Sequence, residues 1–362
     1  SMVRKFVDIT GDPSNPLGPP RDCPTAFKML YDDEYLYVMS RMVVAPGRAI
    51  VATFTERNEP IYQRDSDIEL FIDALGCNHF YKETEVNALN AVWNLMVDRP
   101  YEDGGGEHSG RIAEPGDPDY WDYSRQISGI EIVEGEVGTA DGRKVWINRL
   151  AIPLGEAAEH QPMGGGIRTG SAQIPRAGDL WRINLSRVEE RGRMNWVWSP
   201  QIRWNPPDGD SPGGFFGEVA MHLPDAWGYV EFGRDGDAPS RNDGGPGNSW
   251  VPVCSGNAPG SAPDPLFPVR LAAHCIYYAQ RKYFELNGAY AETPGKLEEL
   301  LPRFVVGPLV ECSIVPSFSS GGNCSGYVAN VRCAFPFCEG GSDQRCFNPV
   351  VAINEKRLLI IP

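Results

Sequence analysis

The chain has 362 residues, a net charge of -15, 41% hydrophobic residues, 40 glycines and 32 prolines. This length and apolar share are enough for a sizeable core. The acidity argues against a nucleic-acid partner, which needs clustered Lys and Arg, and the lack of any run of about 18 apolar residues argues against a membrane-spanning segment.

The opening "SMVRKF" reads as a tag scar on a trimmed chain, so residues 1–24 form an N-terminal extension and a signal peptide is absent. From Thr25 to Gly233 the pattern is strand-like. "YLYVMSRMVV" (Tyr35–Val44) and "AIVATFTER" (Ala49–Arg57) alternate. "DIELFID", "FYKETEVNAL", "GIEIVEGEVG", "KVWINRLAIP", "LWRINLSRVE", "NWVWSP" and "WGYVEFG" follow. Short runs of aromatic and β-branched residues, broken by Gly, Pro and Asp clusters, predict an antiparallel β-sandwich of the jelly-roll kind over residues 25–233. Residues 234–265 have the Gly/Pro/Ser composition of a linker.

After residue 265 the period changes. "FPVRLAAHCIYYAQRKYFELNG" carries a helical apolar stripe and stops at Gly288. "TPGKLEELLP" predicts a second helix with Thr293 as N-cap. "GYVANVRC" and "VVAINEKRLLIIP" predict a small antiparallel sheet, the latter turning at "NEK". Residues 266–362 therefore read as a small α+β domain. Seven of the nine cysteines lie here or just before: Cys254, Cys275, Cys312, Cys324, Cys333, Cys338 and Cys346. None has C-x-x-C spacing, so disulfide stapling is expected rather than zinc. The odd total leaves one thiol free or bridging to another chain, which allows a disulfide-linked or non-covalent oligomer. "NLS" at Asn184 and "NCS" at Asn323 are glycosylation sequons.

Alternate residues of a strand share a face. Ile68, Leu70 and Ile72 are core. Asp65, Asp67, Glu69, Phe71 and Asp73 occupy the other side, and Tyr81, Glu83, Glu85, Asn87 and Leu89 form the matching face of the next strand. A hairpin between the two brings Glu69 near Glu85 and Asn87. Like charges so placed destabilise a pair, so a cation, an arginine or a hydrogen-bonded ligand is expected there. "WRINLSR" supplies Arg182, Asn184 and Ser186 on one face, a polar set able to order sugar hydroxyls. Trp93, Trp121, Trp196, Trp198, Trp204 and Trp227 are core residues or stacking platforms. The acidic loops "EDGGGE", "EPGDPDYWD" and "PPDGDSPGG" carry oxygen ligands at short spacing. Asp117, Asp119 and Asp122 are the candidate ligands of a structural calcium ion.

The ordered motifs "FKMLYDDEYLYVMSRM", "RDSDIELFIDALGCNHFYKETEVNALNAVWNLMVDRPYEDGG", "GDLWRINLSRVE", "NWVWSP" and "MHLPDAWGYVEFG" resemble family 9-like carbohydrate-binding modules. The resemblance covers residues 25–233. It implies a β-sandwich, a secreted or periplasmic location and often structural calcium. In that family two aromatic rings hold the sugar and polar residues order its hydroxyls. Carried over by motif, the polar positions fall on Glu69, Asn87 and Asn184. Binding members bring a Trp three residues after the last of these, where this chain has Arg187; Tyr62 is the remaining candidate ring. "IYYAQRKYFELNGAYAETPGKLEELLP" is similar to pilin-like subunits over about 30 residues, which implies an α+β appendage.

Three function classes follow. The first is a secreted or cell-surface carbohydrate-binding protein with a saccharide or polysaccharide partner. Its ligand-binding residues are Glu69, Glu85, Asn87, Arg182, Asn184, Arg187, Tyr62, Trp93 and Trp204. The second is a glycoside-active hydrolase or lyase using Glu69 and Glu85 as paired carboxylates. The third is a structural or adhesive surface protein. The sequence has no H-E-x-x-H metal motif, no G-x-S-x-G elbow and no phosphate loop.

Overall fold

The computed structural model describes residues 3, 6–21, 23–44, 48–134, 143–159, 174–233, 264, 266–306, 310–332 and 350–360, with the backbone of 252–253, 333, 337–338 and 346–347. In chain order the strands are β1 (Val7–Asp8), β2 (Thr25–Tyr31), β3 (Tyr35–Val43), β4 (Asp67–Asp73), β5 (Tyr81–Asn87), β6 (Val92–Val97) and β7 (Glu107–Ser109). Next come β8 (Ile127–Val133), β9 (Val145–Pro153), the one-turn helix α1 (Leu154–Ala157), β10 (Leu180–Glu189), β11 (Met194–Val197), β12 (Ile202–Asn205), β13 (Gly214–Gly217), β14 (Gly228–Glu231) and β15 (Pro252–Val253). Helix α2 (Phe267–Asn287), the short helix α3 (Arg303–Val306), β16 (Val310–Phe318), β17 (Cys324–Cys333), β18 (Phe337–Cys338), β19 (Cys346–Phe347), β20 (Val351–Asn354) and β21 (Leu359–Ile360) complete the chain.

The chain is mainly β and its paired strands run antiparallel. One sheet has the order β2-β3-β9-β8; the larger runs β1-β11-β10-β4-β5-β6-β7, with β14 also on β10 and β15 beyond it. The two sheets form a sandwich because each sends alternate apolar side chains inward. Ile68, Leu70 and Ile72 of β4 and Ile183 and Leu185 of β10 meet Met29, Leu36 and Val38 of the smaller sheet, around a fully buried Trp146. Each such side chain stabilises by roughly 1.5–3 kcal/mol when withdrawn from water. Among the described residues no helix is long and apolar enough to cross a membrane.

Helix α2 ends at Gly288, whose φ of 70° places it in the left-handed region a C-terminal glycine serves. Its buried stripe, including Val269, Ala272, Ile276 and Ala279, packs on Tyr327, Ala329, Val331, Val351 and Ile353 of the β16-β17-β20-β21 sheet. This part grips the sandwich directly. Leu359 N–H donates to the Cys77 carbonyl at 3.1 Å, and the Trp204 indole donates to the Leu300 carbonyl at 3.0 Å.

Three expectations are corrected. Residues 49–57 form no strand. Their backbone bonds go to side chains and a neighbouring loop: the Asp65 carboxylate accepts from Thr53 and Phe54 N–H, and Ser66 N–H donates to Val51. Ile50 and Ala52 pack on the core between the sheets, and Phe54 packs on the outer-face cluster of Phe71, Tyr81 and Trp93. "TPGKLEELLP" forms a 3-10 helix over Pro294–Leu300, without a side-chain cap from Thr293. Residues 203–217 form the β12–β13 hairpin, in which Trp204 pairs with Phe215. Finally, Cys275, Cys312 and Cys324 are free thiols and staple nothing. Cys275 is fully buried on α2, where it packs as a small hydrophobe. Cys254 and the side chains of Cys333, Cys338 and Cys346 lie outside the described residues. So does the linker 234–265, apart from β15 and Asp264.

Candidate functional site

The outer face of the larger sheet carries the polar residues that the strand period singles out. Cross-strand pairing sets Ser186 opposite Glu69, Glu69 opposite Glu85, and Glu85 opposite Trp93, one row across four strands. The next row sets Asn184, Phe71, Glu83 and Leu95 side by side. Glu69, Glu83 and Glu85 thus converge, and one carboxylate oxygen from each lies within 4.8 Å of the others. Asp67, opposite Asn87, stands one same-face step behind Glu69.

These carboxylates are nearly out of water: Asp67 is 0% exposed, Glu85 2%, and Glu69 and Glu83 4% each. Among the described residues none forms an ion pair with Lys or Arg. The exception to isolation is His222, whose Nε2 stands 3.8 Å from Glu83 Oε2. Both oxygens of Asp67 and Oε2 of Glu69 are buried without a hydrogen-bond partner. Burial pushes the Glu69 carboxyl up to about 8. It also drives Glu83, Glu85 and Asp67 well above the carboxylate range, with the neighbouring carboxylates adding to the rise.

Aromatic rings surround this acidic floor. The Tyr62 N–H donates to Glu85 Oε2 at 3.0 Å. Its ring stacks on Trp93 with centroids 5.9 Å apart and planes 19° from parallel. The Arg111 guanidinium lies 5.3 Å from the Trp93 ring. At the Glu83 end the edge of one ring meets the face of another between Tyr101 and His222, centroids 4.5 Å apart. The Tyr81 hydroxyl and His222 Nδ1 are hydrogen-bonded at 3.0 Å. Trp93 is buried, whereas Tyr62 and Tyr101 are 41% and 43% exposed.

The other candidate residues sit elsewhere. Asn87 spends all four hydrogen-bonding valences on the fold. It donates to the Phe54 carbonyl and Asp65 Oδ2, and it accepts from Leu89 and Ala91 N–H. It therefore clamps the 48–66 crossover that carries Tyr62. Asn87→Ala is expected to destabilise by about 2 kcal/mol and to speed proteolysis within 48–60; unchanged urea midpoint and cleavage would contradict that role. Asn184 likewise bonds the Ser199 carbonyl and N–H. Arg182 pairs with Asp73 rather than Glu69, four residues or roughly 13 Å along the strand from the Glu69 row. Its guanidinium donates to the carbonyls of Trp227 and Asp225. Arg187 falls on the opposite face and bonds Glu189, Thr25 and the Val43 carbonyl. Trp204 belongs to the core under α2.

Asp117, Asp119 and Asp122 do not converge among the described residues. Asp122 forms a two-point contact with Arg57, Asp119 faces His108 at 3.4 Å, and Asp117 accepts from Glu114 N–H. Tyr101, His222 and Arg111 come from loops and carry no periodic signal, which is why strand alternation finds the floor of the site and misses its rim.

No protein-family model matches the chain, and no curated protein matches it. The solved structures similar to it include the following two. One is described as a "putative carbohydrate-binding protein" from Bacteroides uniformis ATCC 8492: 14% identity, TM-score 0.40, covering 64% of this chain and 86% of that one. The other is a carbohydrate binding module of family 9 from Caldicellulosiruptor kristjanssonii in complex with glucose: 12% identity, TM-score 0.34, covering 66% of this chain and 88% of that one.

Proposed function

We propose that the chain binds a saccharide at the outer face of the larger sheet, over Glu69, Glu83 and Glu85 and between Tyr62 and Tyr101. One observation carries this reading: two half-exposed tyrosine rings stand at the two ends of a carboxylate floor that has an unpartnered oxygen. Pyranose hydroxyls both donate and accept, so they can bond carboxyl oxygens of this floor. The C–H face of the ring packs on an aromatic surface. The sequence resemblance to family 9-like modules supports the same partner class, and a polysaccharide partner implies work outside the cell.

A glycan array followed by titration with soluble oligosaccharides tests the reading. Tyr62→Ala and Tyr101→Ala are each expected to weaken binding about tenfold, equivalent to about 1.4 kcal/mol. Glu69→Ala is expected to abolish binding. Asn184→Ala is expected to lower stability while leaving the affinity of the folded fraction intact. Binding that survives both tyrosine variants, or no binding to any glycan, overturns the proposal.

A further inference from the structure

The acidic floor poses a problem that a sugar does not solve. Three glutamates aim at one point, a fourth carboxylate lies behind them, and among the described residues no Lys or Arg offsets them. Backbone and side-chain donors satisfy carboxylates elsewhere on this face: Asp73 accepts from Cys77 and Asn78 N–H, and Asp65 from Thr53, Phe54 and Asn87. Glu69 Oε2 and both oxygens of the fully buried Asp67 accept from nothing. Buried polar atoms left in that state are costly.

From this geometry we infer that Glu69, Glu83 and Glu85 bind a hard divalent cation of the calcium class, with Asp67 behind them as an uncoordinated countercharge. Oxygen ligands hold calcium at 2.3–2.6 Å, so two ligands of one ion stand up to about 5 Å apart. The three glutamate oxygens lie within 4.8 Å of one another and fit that span. All three donors are carboxylate oxygens, which favours calcium, magnesium or manganese over zinc or copper. The strands themselves set the geometry, because Glu69 and Glu85 are direct cross-strand partners and Glu83 is the next same-face residue of β5. The cation occupies the same side chains as the proposed saccharide site but does not depend on it, and the test contains no sugar.

The full chain is stripped with chelator and melted with added Ca2+, Mg2+, Mn2+ or Zn2+. At a hundredfold excess over Kd the expected rise in Tm is about 5 °C for Ca2+. Glu83→Gln and Glu85→Gln are each expected to raise Kd at least tenfold, while Asp119→Asn leaves it unchanged. Tb3+ luminescence sensitised through tryptophan and displaced by Ca2+ reads the same site in the wild type, so poorly folding variants do not stall the test. Four results overturn the inference. They are no cation-dependent shift together with no Tb3+ signal, a shift kept in Glu83→Gln and Glu85→Gln, a shift lost in Asp119→Asn, and a response to Zn2+ alone.

Discussion

Arg357→Met is expected to destabilise the protein by about 3–5 kcal/mol, because it strands buried carboxylates. Arg357 is fully buried at the turn between β20 and β21 and reaches back into the sandwich. Its guanidinium stands 2.8 Å from Glu102 Oε2, 3.2 Å from Asp103 Oδ2 and 3.4 Å from Asp225 Oδ1. The rings of Tyr277 and Tyr278 on α2 lie 4.7 Å and 5.3 Å from it. Tyr278 donates to Asp225 at 2.7 Å, and Tyr277 donates to Asp103. The Asp103 and Asp225 side chains are only 3% and 5% exposed. Removing the arginine leaves Asp225 in low dielectric with the Tyr278 hydroxyl, and Asp103 with the Tyr277 hydroxyl and a longer contact to Arg281 at 3.6 Å.

The backbone adds to this dependence. Arg357 has φ 60°, a left-handed conformation unusual for a residue with a Cβ. It is held there by its N–H to the Asn354 carbonyl, while its own carbonyl accepts from Asn78 of the sandwich. Urea unfolding of Arg357→Met measures the loss. Adding Asp103→Asn and Asp225→Asn to that variant should recover at least half, since neutralised partners no longer need the charge. A loss below about 1 kcal/mol for Arg357→Met, or no recovery in the triple variant, would show that the network does not hold the C-terminal part to the sandwich.

This network also shows what a linear reading misses. Glu102, Asp225 and Arg357 belong to loops far apart in the chain, and no period or spacing links them. The strands themselves were largely legible, because a half-buried strand writes its two faces in alternation. The expected pairing of Glu69 with Glu85 rested on that alternation plus one hairpin, and the observed register agrees. Arg182 shares the face of Glu69, as the period requires. Its row depends on how β10 slides against β4, and two more same-face steps carry it to Asp73. Alternation in 49–57 is real too. It does not make a strand there, because the side chain of Asp65 captures the backbone N–H groups that a neighbouring strand would need.

Cysteine density also reads differently for Cys275, Cys312 and Cys324, which are free. A cluster of cysteines in the last third of the chain reads as a set of staples, yet α2 and its sheet already bury an apolar core that includes Cys275. Tyr62 enters as a ring candidate through the family resemblance, and Trp93 as one of six tryptophans that could pack or stack. Their stacking on each other, rather than around a guest, follows from the crossover that Asn87 and Asp65 pin in place. The acidic floor is therefore a property of local sequence, and its aromatic rim a property of tertiary packing.

Acid is expected to weaken the fold through His274, on the same interface. Asn78 Nδ2 stands 2.9 Å from His274 Nε2 and also donates to the Arg357 carbonyl. The amide has two hydrogens for these two contacts, so Nε2 accepts and the ring is neutral. Its pKa is lowered to about 4, chiefly by burial; Asp225 opposes the fall, and the charges of Arg182, Arg357 and Arg270 add to it. The unfolded ring titrates near 6.5. Between pH 6.5 and 4 the unfolded chain therefore binds a proton that the folded chain refuses. The stabilisation is complete above 6.5 and is lost as pH falls toward 4. At pH 4.5 this amounts to about 2–3 kcal/mol. Raised carboxyl pKa values in the acidic floor act in the opposite direction, so the effect is read as a difference. His274→Gln, which keeps an acceptor for Asn78 and cannot charge, should lose about 2–3 kcal/mol less than wild type between pH 7 and pH 4.5. Parallel pH profiles for the two proteins would mean that the ring is protonated in the fold or reached by water, and that Asn78 does not hold its tautomer.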